Sequence, residues 1–431
     1  MSHNTSAAGE LRSQWQNPGD IFSLLLLVGG DVVQKAIARL VGVHAKVLGT
    51  GQQIYFTPVA FSFGWVTYAF ISLASMLGDH RLMPEPDTGI LVINCNNGYV
   101  RDNYSWVLGR IVRDKEYRIA ELTRTKEKPK NAQGEIDSTG EVSLAIDLFV
   151  AEASNVNGPR KGRAWYIHWL VILLQQVIAA IPWIIWNDWS VFMITASGTF
   201  LAVVTAGLPQ WPAEKWTKKL DKSNKDKTVA LTRGNGHQYV MLILCHEGAW
   251  DLEAMASGRQ RVVTGTKFFM CLFSLLWIVL LITVTGLKEH TWFLIGVGGL
   301  GMLQNVIVAA RPSKPEDFDI SLVPYSSRAT ITGYQYVYEK KKDIKERLWK
   351  NYTAINAKDE FDNKLEEGKV RDVMGALIEL EKHHKGAGAA LVPVFFPGAL
   401  EYGNSSALNN PREKLFWNHA AEPNASPGNP R

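Results

Sequence analysis

Five stretches of the chain are apolar almost throughout and contain no Lys, Arg, Asp or Glu: residues 54–78, 165–186, 191–208, 268–287 and 292–310. Each is roughly 18–25 residues long, and at about 1.5 Å of rise per residue a helix of that length matches a hydrocarbon core of roughly 30 Å. The pattern predicts five membrane-spanning helices. Short polar turns join two pairs of them, Asn187–Ser190 and Lys288–Thr291, whereas residues 79–164, 209–265 and the segment beyond 310 are long. Alternation of crossings then puts the long segments on one face and both tight turns on the other.

The long polar segments carry element patterns of their own. Residues 89–95 form a short apolar run, and residues 142–150 alternate Val142, Leu144, Ile146, Leu148 and Val150 against Ser143, Ala145, Asp147 and Phe149, the period of a half-buried strand. Residues 228–232 and 238–245 flank Arg233-Gly234-Asn235-Gly236, a hairpin turn signal. Helical patterns cover about 103–122, 331–357 and 370–384, and residues 391–396 read as a strand that Pro393 demotes to an edge. The expected fold class is an α-helical multi-pass membrane bundle carrying a cytosolic α+β domain assembled from segments 79–164, 209–265 and 311–402. Residues 125–140 and 403–431 read as linker and flexible tail, and residues 1–19 as a polar N-terminal segment.

Residues 20–48 leave two readings open. Val32, Val33, Ala36, Ile37, Leu40 and Val41 make one face of a helix with Asp31, Gln34, Lys35 and Arg39 opposite. That suits a helix lying in the interface. A sixth span would bury Asp31 and Lys35 at about 2.5–3.5 kcal/mol each.

Charge orients the chain. Arg81, Arg160, Lys161, Arg163, Lys215, Lys218, Lys219, Arg259, Arg261, Lys267, Arg311 and Lys314 all flank spans on the long-segment face, against Lys288 in the opposite turns. Lys and Arg near span ends stay cytoplasmic, so the long segments are expected in the cytosol and the N-terminus in the lumen or outside. Among the N-linked sequons at Asn4, Asn103, Asn351, Asn404 and Asn424, only Asn4 would then meet the glycosylation machinery. Many of the 15 Trp residues lie at span ends, among them Trp165, Trp169, Trp183, Trp186, Trp189 and Trp292, as an aromatic belt requires. The net charge of +5 is dispersed among acids, which suits an anionic cytosolic leaflet rather than nucleic acid. Arg101, Arg110, Arg113 and Arg118 with Trp106, Leu108, Ile111 and Val112 form a basic amphipathic helix, for which a membrane surface and a solvated face both remain open.

Reactive chemistry is sparse. Gly296-Val-Gly298-Gly299-Leu-Gly301 spells the dinucleotide fingerprint but lies inside a span, where small residues serve close helix packing. Gln175, Gln176, Gln304 and Asn305 are the strongly polar intramembrane groups apart from His168, and they read as interhelical hydrogen bonding, with a polar permeation path as the alternative. Cys245-His246-Glu247 with Asp251 could supply a nucleophile or a zinc site, but neighbouring strand residues point to opposite faces and no further Cys/His pair completes a ligand set. Cys95 and Cys245 read as buried reduced thiols, and no cofactor or metal is expected.

Four stretches in order, NPGDIFSLLLLVGGDVVQKAIARLVG, GYVRDNYSWVLGRIVRD, GVGGLGMLQNVIVAARPSKPE and ALIELEKHHKGAGAALVPVFFPG, resemble a group of filamentous-fungal multi-pass integral membrane proteins of unassigned function. The resemblance implies the membrane architecture and a fungal origin, and carries over no catalytic residue. The functional expectation is a non-enzymatic membrane protein presenting a cytosolic domain to an unknown protein partner. The alternatives are a transporter or channel formed by an oligomer, and a membrane enzyme using Cys245, His246 or Asp251.

Overall fold

The computed structural model describes residues 29–42, 44–46, 53–125, 142–153, 163–216, 226–258, 262–287, 289–325, 330–334 and 369–397. Asn4, Asn351, Asn404, Asn424, residues 1–28, residues 126–140 of the expected linker 125–140 and the tail 403–431 lie outside the described residues.

In chain order the helices are α1 (Gly30–Leu40), α2 (Trp65–Gly78), α3 (Trp106–Thr125), α4 (Arg163–Trp186), α5 (Ser190–Ala206), α6 (Gln210–Lys215), α7 (Leu252–Ala256), α8 (Thr266–Thr285), α9 (Thr291–Ala310), α10 (Asp372–His383) and α11 (Ala387–Phe395). The strands are β1 (His44–Lys46), β2 (Gln53–Tyr55), β3 (Leu91–Asn94), β4 (Tyr99–Asp102), β5 (Val142–Ala151), β6 (Lys227–Thr232), β7 (Tyr239–Cys245), β8 (Leu322–Pro324), β9 (Thr330–Tyr334) and β10 (Lys369–Arg371). The chain divides into two compact units: Met1–Glu85, Asn155–Thr217 and Gly258–Asp319 form the first, and Pro86–Ser154, Lys218–Ser257 and Ile320–Arg431 the second.

The first unit is helical. Trp165–Trp186, Ser190–Lys215, Thr266–Thr285 and Thr291–Ala310 are long and apolar enough to cross a membrane. Leu170, Leu173 and Ile184 of α4 and Phe268, Leu275 and Ile282 of α8 stay exposed on the outside of the bundle. Packing joins α4 to α5 and α9, and α8 to α2 and α5.

The run 54–78 departs from the expected single span. Ile54 and Tyr55 belong to β2, residues 56–64 are non-helical, and a helix of 14 residues starts only at Trp65. Pro58 has no N–H to bond back into a helix and disfavours helical geometry at Thr57. At about 1.5 Å per residue α2 reaches roughly 21 Å, short of a bilayer core.

Residues 30–40 also differ from a helix laid on a surface. α1 packs against both α9 and α2, with Val33, Ala36, Ile37 and Ala38 fully buried. Its 11 residues are too few for a complete crossing.

The second unit is an α+β layer structure. Its eight-stranded sheet runs β10-β9-β5-β7-β6-β3-β4, with β8 paired to β5 off that path. β5 and β7 are parallel, as are β9 and β10, and the other pairs are antiparallel. The expected hairpin forms as β6–β7, where Gly234 and Gly236 take φ of 86° each, a geometry glycine adopts without strain. Leu144, Ile146 and Leu148 of β5 join Val240 and Leu242 of β7 beneath Ala376, Leu377 and Leu380 of α10 and Leu391 and Phe395 of α11. The opposite face meets α3, whose Lys115 lies 4.5 Å over the Phe149 ring.

Two expectations for this unit are corrected. Residues 391–396 are not an edge strand: Leu391–Phe395 belongs to α11, whose first turn is capped by the Glu381 carboxylate accepting from Gly386 N (2.6 Å) and Ala389 N (2.9 Å). Ala387, Leu391 and Phe395 then fall on one helical face, which the sheet buries. The helix expected from residue 331 begins instead as β9, where Thr330, Ile331 and Thr332 pair with β5; residues 335–357 lie outside the described residues.

Candidate functional site

The polar residues of the helical unit converge on a stretch of chain that is not a helix. Gln175, in the middle of α4, donates from Nε2 to the carbonyls of Phe61 (2.8 Å) and Val297 (2.7 Å). Asn305 of α9 donates from Nδ2 to Ser62 Oγ (3.0 Å) and Ala60 O (3.4 Å). The Phe61 ring stacks on Trp277 of α8 at 6.2 Å, and Trp65 stacks on the same indole at 5.3 Å. Backbone without helical bonding needs such donors wherever water is excluded, and these amides provide them.

The glycines complete the cradle. A Cβ at Gly301 would collide with the Phe61 carbonyl, one at Gly298 with the Phe63 ring, and one at Gly198 of α5 would come within 2.6 Å of the Phe61 ring. Gly296 and Gly299 face open space. The glycine-rich run of α9 therefore follows no strand, as a dinucleotide-binding turn would require; it admits residues 60–63 rather than another helix. The sequence reading of close helix–helix packing is corrected accordingly: the approaching backbone is a non-helical segment.

This segment is re-entrant within the bundle. From Ala60 to Phe63 its contacts move backwards along α9, from Asn305 through Gly301 to Gly298. α2 then returns the other way: Trp65 meets Trp277, and Ala69 O accepts from Ser274 Oγ at 3.3 Å. Gly64 sits so close to Gly29 that a Cβ would lie 2.5 Å from the Gly29 oxygen, so α1 and α2 begin side by side. Gln34 Nε2 of α1 donates to Leu82 O beyond α2 at 2.8 Å, and both helices end at α6, through Arg39 O on Lys215 and Leu82 N on Glu214.

At that end a polar knot centred on α6 closes the helix termini. Gln210 Oε1 accepts from Val263 N (2.7 Å) ahead of α8, and Glu214 accepts from Leu82 N (2.9 Å) and Met83 N (2.8 Å) beyond α2. Lys215 Nζ donates to the Arg39 (3.0 Å) and Val41 (2.9 Å) carbonyls at the end of α1. Arg39 in turn donates to Val308 O (2.7 Å), Pro312 O (3.1 Å) and Arg311 O at the end of α9. Cations on the last carbonyls of helices satisfy unpaired acceptors and the helix dipole together.

At the other end the two tight turns are joined. His290 Nδ1 lies 2.8 Å from Asp188 Oδ2, and Asp188 Oδ1 accepts from Ser190 N at 3.0 Å. Partial burial would raise the Asp188 carboxyl, but the hydrogen bonds from Ser190 and His290 outweigh it and hold it below its ordinary value.

His168 and Gln304 pair across α4 and α9 at 2.8 Å, and Gln176 donates to Thr199 of α5 at 2.9 Å. With the Gln175–Val297 bond, these are the interhelical hydrogen bonds the sequence suggested.

Cys245, His246 and Asp251 do not assemble. Cys245 is fully buried at the end of β7, and burial pushes its thiol up to about 12. His246 points out to Asp226, 3.2 Å away, and Glu247 is exposed. Asp251 caps α7 by accepting from Glu253 N (3.1 Å) and Ala254 N (3.0 Å). An activated thiol needs a base or a positive neighbourhood that lowers its pKa, the opposite of this site. Among the described residues no group of three or more His, Cys, Asp or Glu is placed to hold a metal ion.

Three of the four arginines expected on a basic helix are engaged within their own unit, whereas Arg118 is exposed. Arg110 is 1% exposed and bonds Asp87 (2.8 Å) and Asp114 (3.2 Å), Arg113 bonds the same two carboxylates at 2.9 Å each, and Arg101 of β4 bonds Glu253 at 2.5 Å. The sequence reading missed the re-entrant segment altogether. Pro58 and the Gly64-Trp65 step were its available signals, submerged in an apolar run.

No family model, curated protein or solved structure matches the chain.

Proposed function

We propose that the chain is an integral membrane protein in which α4, α5, α8 and α9 cross the bilayer, residues 56–78 dip in and return, and the α+β unit serves as a cytosolic interaction domain. One observation carries this reading. Glu85, Thr217 and Asp319, where the chain passes to the α+β unit, all follow elements tied into the α6 knot, so the departures share one end of the helical bundle. Arg81, Lys215, Arg311 and Lys314 lie at that end, which the distribution of positive charge assigns to the cytosol. Among the described residues the opposite end holds the tight turns, and the N-terminus is assigned to that luminal or extracellular side, an assignment that requires the chain up to the end of α1 to make one further crossing. The exposed apolar faces of α4 and α8 support lipid contact, since a water-facing unit rarely leaves so much apolar surface bare.

The proposed partners are the lipid bilayer, with its anionic cytosolic leaflet facing the flanking Lys and Arg residues, and a protein bound by the α+β unit. The resemblance to fungal membrane proteins is in keeping with this architecture. Affinity purification in mild detergent tests the interaction. A protein recovered with the full chain, and lost on substitutions confined to the α+β surface, is the expected result; only lipid and chaperones in repeated preparations would overturn it.

A second reading, a transporter or channel formed by an oligomer, is favoured by the non-helical backbone held in the middle of the bundle, a feature of transporters with broken helices. Solute flux in proteoliposomes that disappears on replacing Gln175, Gln304 and Asn305 by Leu would favour it over the first.

A further inference from the structure

The hydrogen-bond inventory around Ala60–Trp65 is unbalanced. Gln175 uses its Nε2 on two carbonyls and Asn305 uses its Nδ2 on Ser62 and Ala60, yet Gln175 Oε1 and Asn305 Oδ1 have no partner although both residues are fully buried. Gln304, 6% exposed and paired to His168 through Nε2, likewise has an unpartnered Oε1. The indole Nε1 of Trp277, also fully buried, is a donor with no partner. Three of these groups touch the same six residues: Gln175 through Phe61, Asn305 through Ala60 and Ser62, and Trp277 through the Phe61 and Trp65 rings. Gln304 extends the row by one residue of α9.

The chemistry restricts what can occupy such a seam. Unpartnered buried polar atoms are rare, and each costs free energy unless something bonds it. A cation would serve the amide oxygens but not the indole, and would call for a carboxylate, of which Ala60–Trp65 and the amide and indole residues contain none. An anion would serve the indole and be repelled by the amide oxygens. A species that both donates and accepts, small enough for close packing, serves all four. We propose that the seam between α4, α8, α9 and residues 60–65 is a built hydration site, holding ordered water bonded to Gln175 Oε1, Asn305 Oδ1, Gln304 Oε1 and Trp277 Nε1. The assignment rests on these groups and on neither functional reading.

Radiolytic hydroxyl-radical footprinting of the full chain in nanodiscs, in water enriched in oxygen-18, tests it, because bound water turned into radicals labels the side chains it touches. Phe61 is 2% exposed and Trp277 fully buried; Met270, about two helical turns from Trp277 on α8, and Phe318, held against Lys215 of α6, are equally inaccessible. Phe61 and Trp277 are expected to take up label at least about five-fold faster than Phe318, and faster than Met270 despite the greater radical reactivity of methionine. Equal, slow labelling at all four would overturn the proposal, and this comparison needs no variant to fold. In Asn305→Leu and Trp277→Phe, checked for native helix content and thermal transition, labelling of Phe61 should fall by about half or more. Unchanged labelling in both folded variants would count against the named ligands.

Discussion

Gln175 Nε2 stands 2.8 Å from the carbonyl oxygen of Phe61, tying the midpoint of a long apolar helix to a stretch of chain 114 positions earlier that has no helical bonding of its own. The same nitrogen reaches Val297 O at 2.7 Å, so one amide bridges α4, the re-entrant segment and α9. A leucine of similar size would pack in its place but leave the Phe61 carbonyl unpaired in an apolar surrounding, at about 1–3 kcal/mol, while Val297 O would keep only its helical partner.

Glycine positions in α9 should separate sharply. Gly301→Ala places a methyl against the Phe61 carbonyl and Gly298→Ala places one against the Phe63 ring, and backbone and packed rings yield poorly. Each should lower stability by about 1–3 kcal/mol, read as a lower thermal transition in detergent. Gly296→Ala and Gly299→Ala face open space and should stay within about 0.5 kcal/mol of the parent. Four equal effects would refute the segment's placement.

Replacing Lys215 by Met removes the donor to the Arg39 and Val41 carbonyls while keeping most of the buried stem. A loss of about 2–4 kcal/mol is expected, since two hydrogen bonds go and two buried acceptors are left open. Protease accessibility around residues 41–56 should rise with it. A neutral outcome would show that the α1 terminus is held by Arg39 alone.

Thiol reagents should rank the cysteines by surroundings. Cys95 and Cys245 are buried, and burial pushes both thiols up to about 12, so both should stay unmodified in the folded chain at neutral pH. Cys271 is exposed on α8 within a stretch proposed to face lipid. In proteoliposomes it should react with an uncharged lipophilic maleimide and resist a charged one. Rapid reaction with the charged reagent would contradict lipid exposure.

The Lys227–Glu253 contact, 2.5 Å, predicts stability lost at both pH extremes. Burial works against the charge on each group, but the pairing wins: Glu253 sits below its ordinary 4.5, with Arg101 contributing, and Lys227 above its ordinary 10.5. The carboxylate's contribution is therefore complete above pH 4.5 and fades as pH falls through its lowered value. The ammonium's contribution is complete below pH 10.5 and fades as pH rises through its raised value. Lys227→Met should move the acid unfolding midpoint upward and cost on the order of 1 kcal/mol at neutral pH, in thermal melts across a pH series. An acid limb identical to that of the parent would exclude Glu253 as its source.

Asn103 should remain unglycosylated whatever its side of the membrane. It is 6% exposed, and its side chain is closed on Ser105, accepting from Ser105 N at 3.0 Å and donating to Ser105 O at 2.8 Å. Its silence is therefore no evidence of topology. An acceptor engineered on a flexible spacer ahead of residue 1 reports sidedness cleanly, and modification there is expected. An acceptor left bare would oppose a luminal N-terminus.

What the residues determine alone is set by contacts near in sequence. Apolar runs of about 20 residues specify helices at 165–186, 191–208, 268–287 and 292–310 within a few positions, because such a run can bond its own backbone without help from elsewhere. Alternation wrote out β5, and the two glycines of the 233–236 turn wrote out the β6–β7 hairpin. The failures share one cause. Residues 54–64 are as apolar as any span, and only the amides of Gln175 and Asn305, far along the chain, make a non-helical backbone tolerable there. Residues 391–396 look like strand until the sheet, assembled from segments far earlier in the chain, buries one helical face. Cys245, His246 and Asp251, by contrast, are legible from neighbours in sequence: the strand pleat and a helix cap send them to separate tasks. Local pattern reports what a segment can do with its own atoms; partners brought from a hundred or more positions away decide whether a segment that cannot satisfy itself is nonetheless kept.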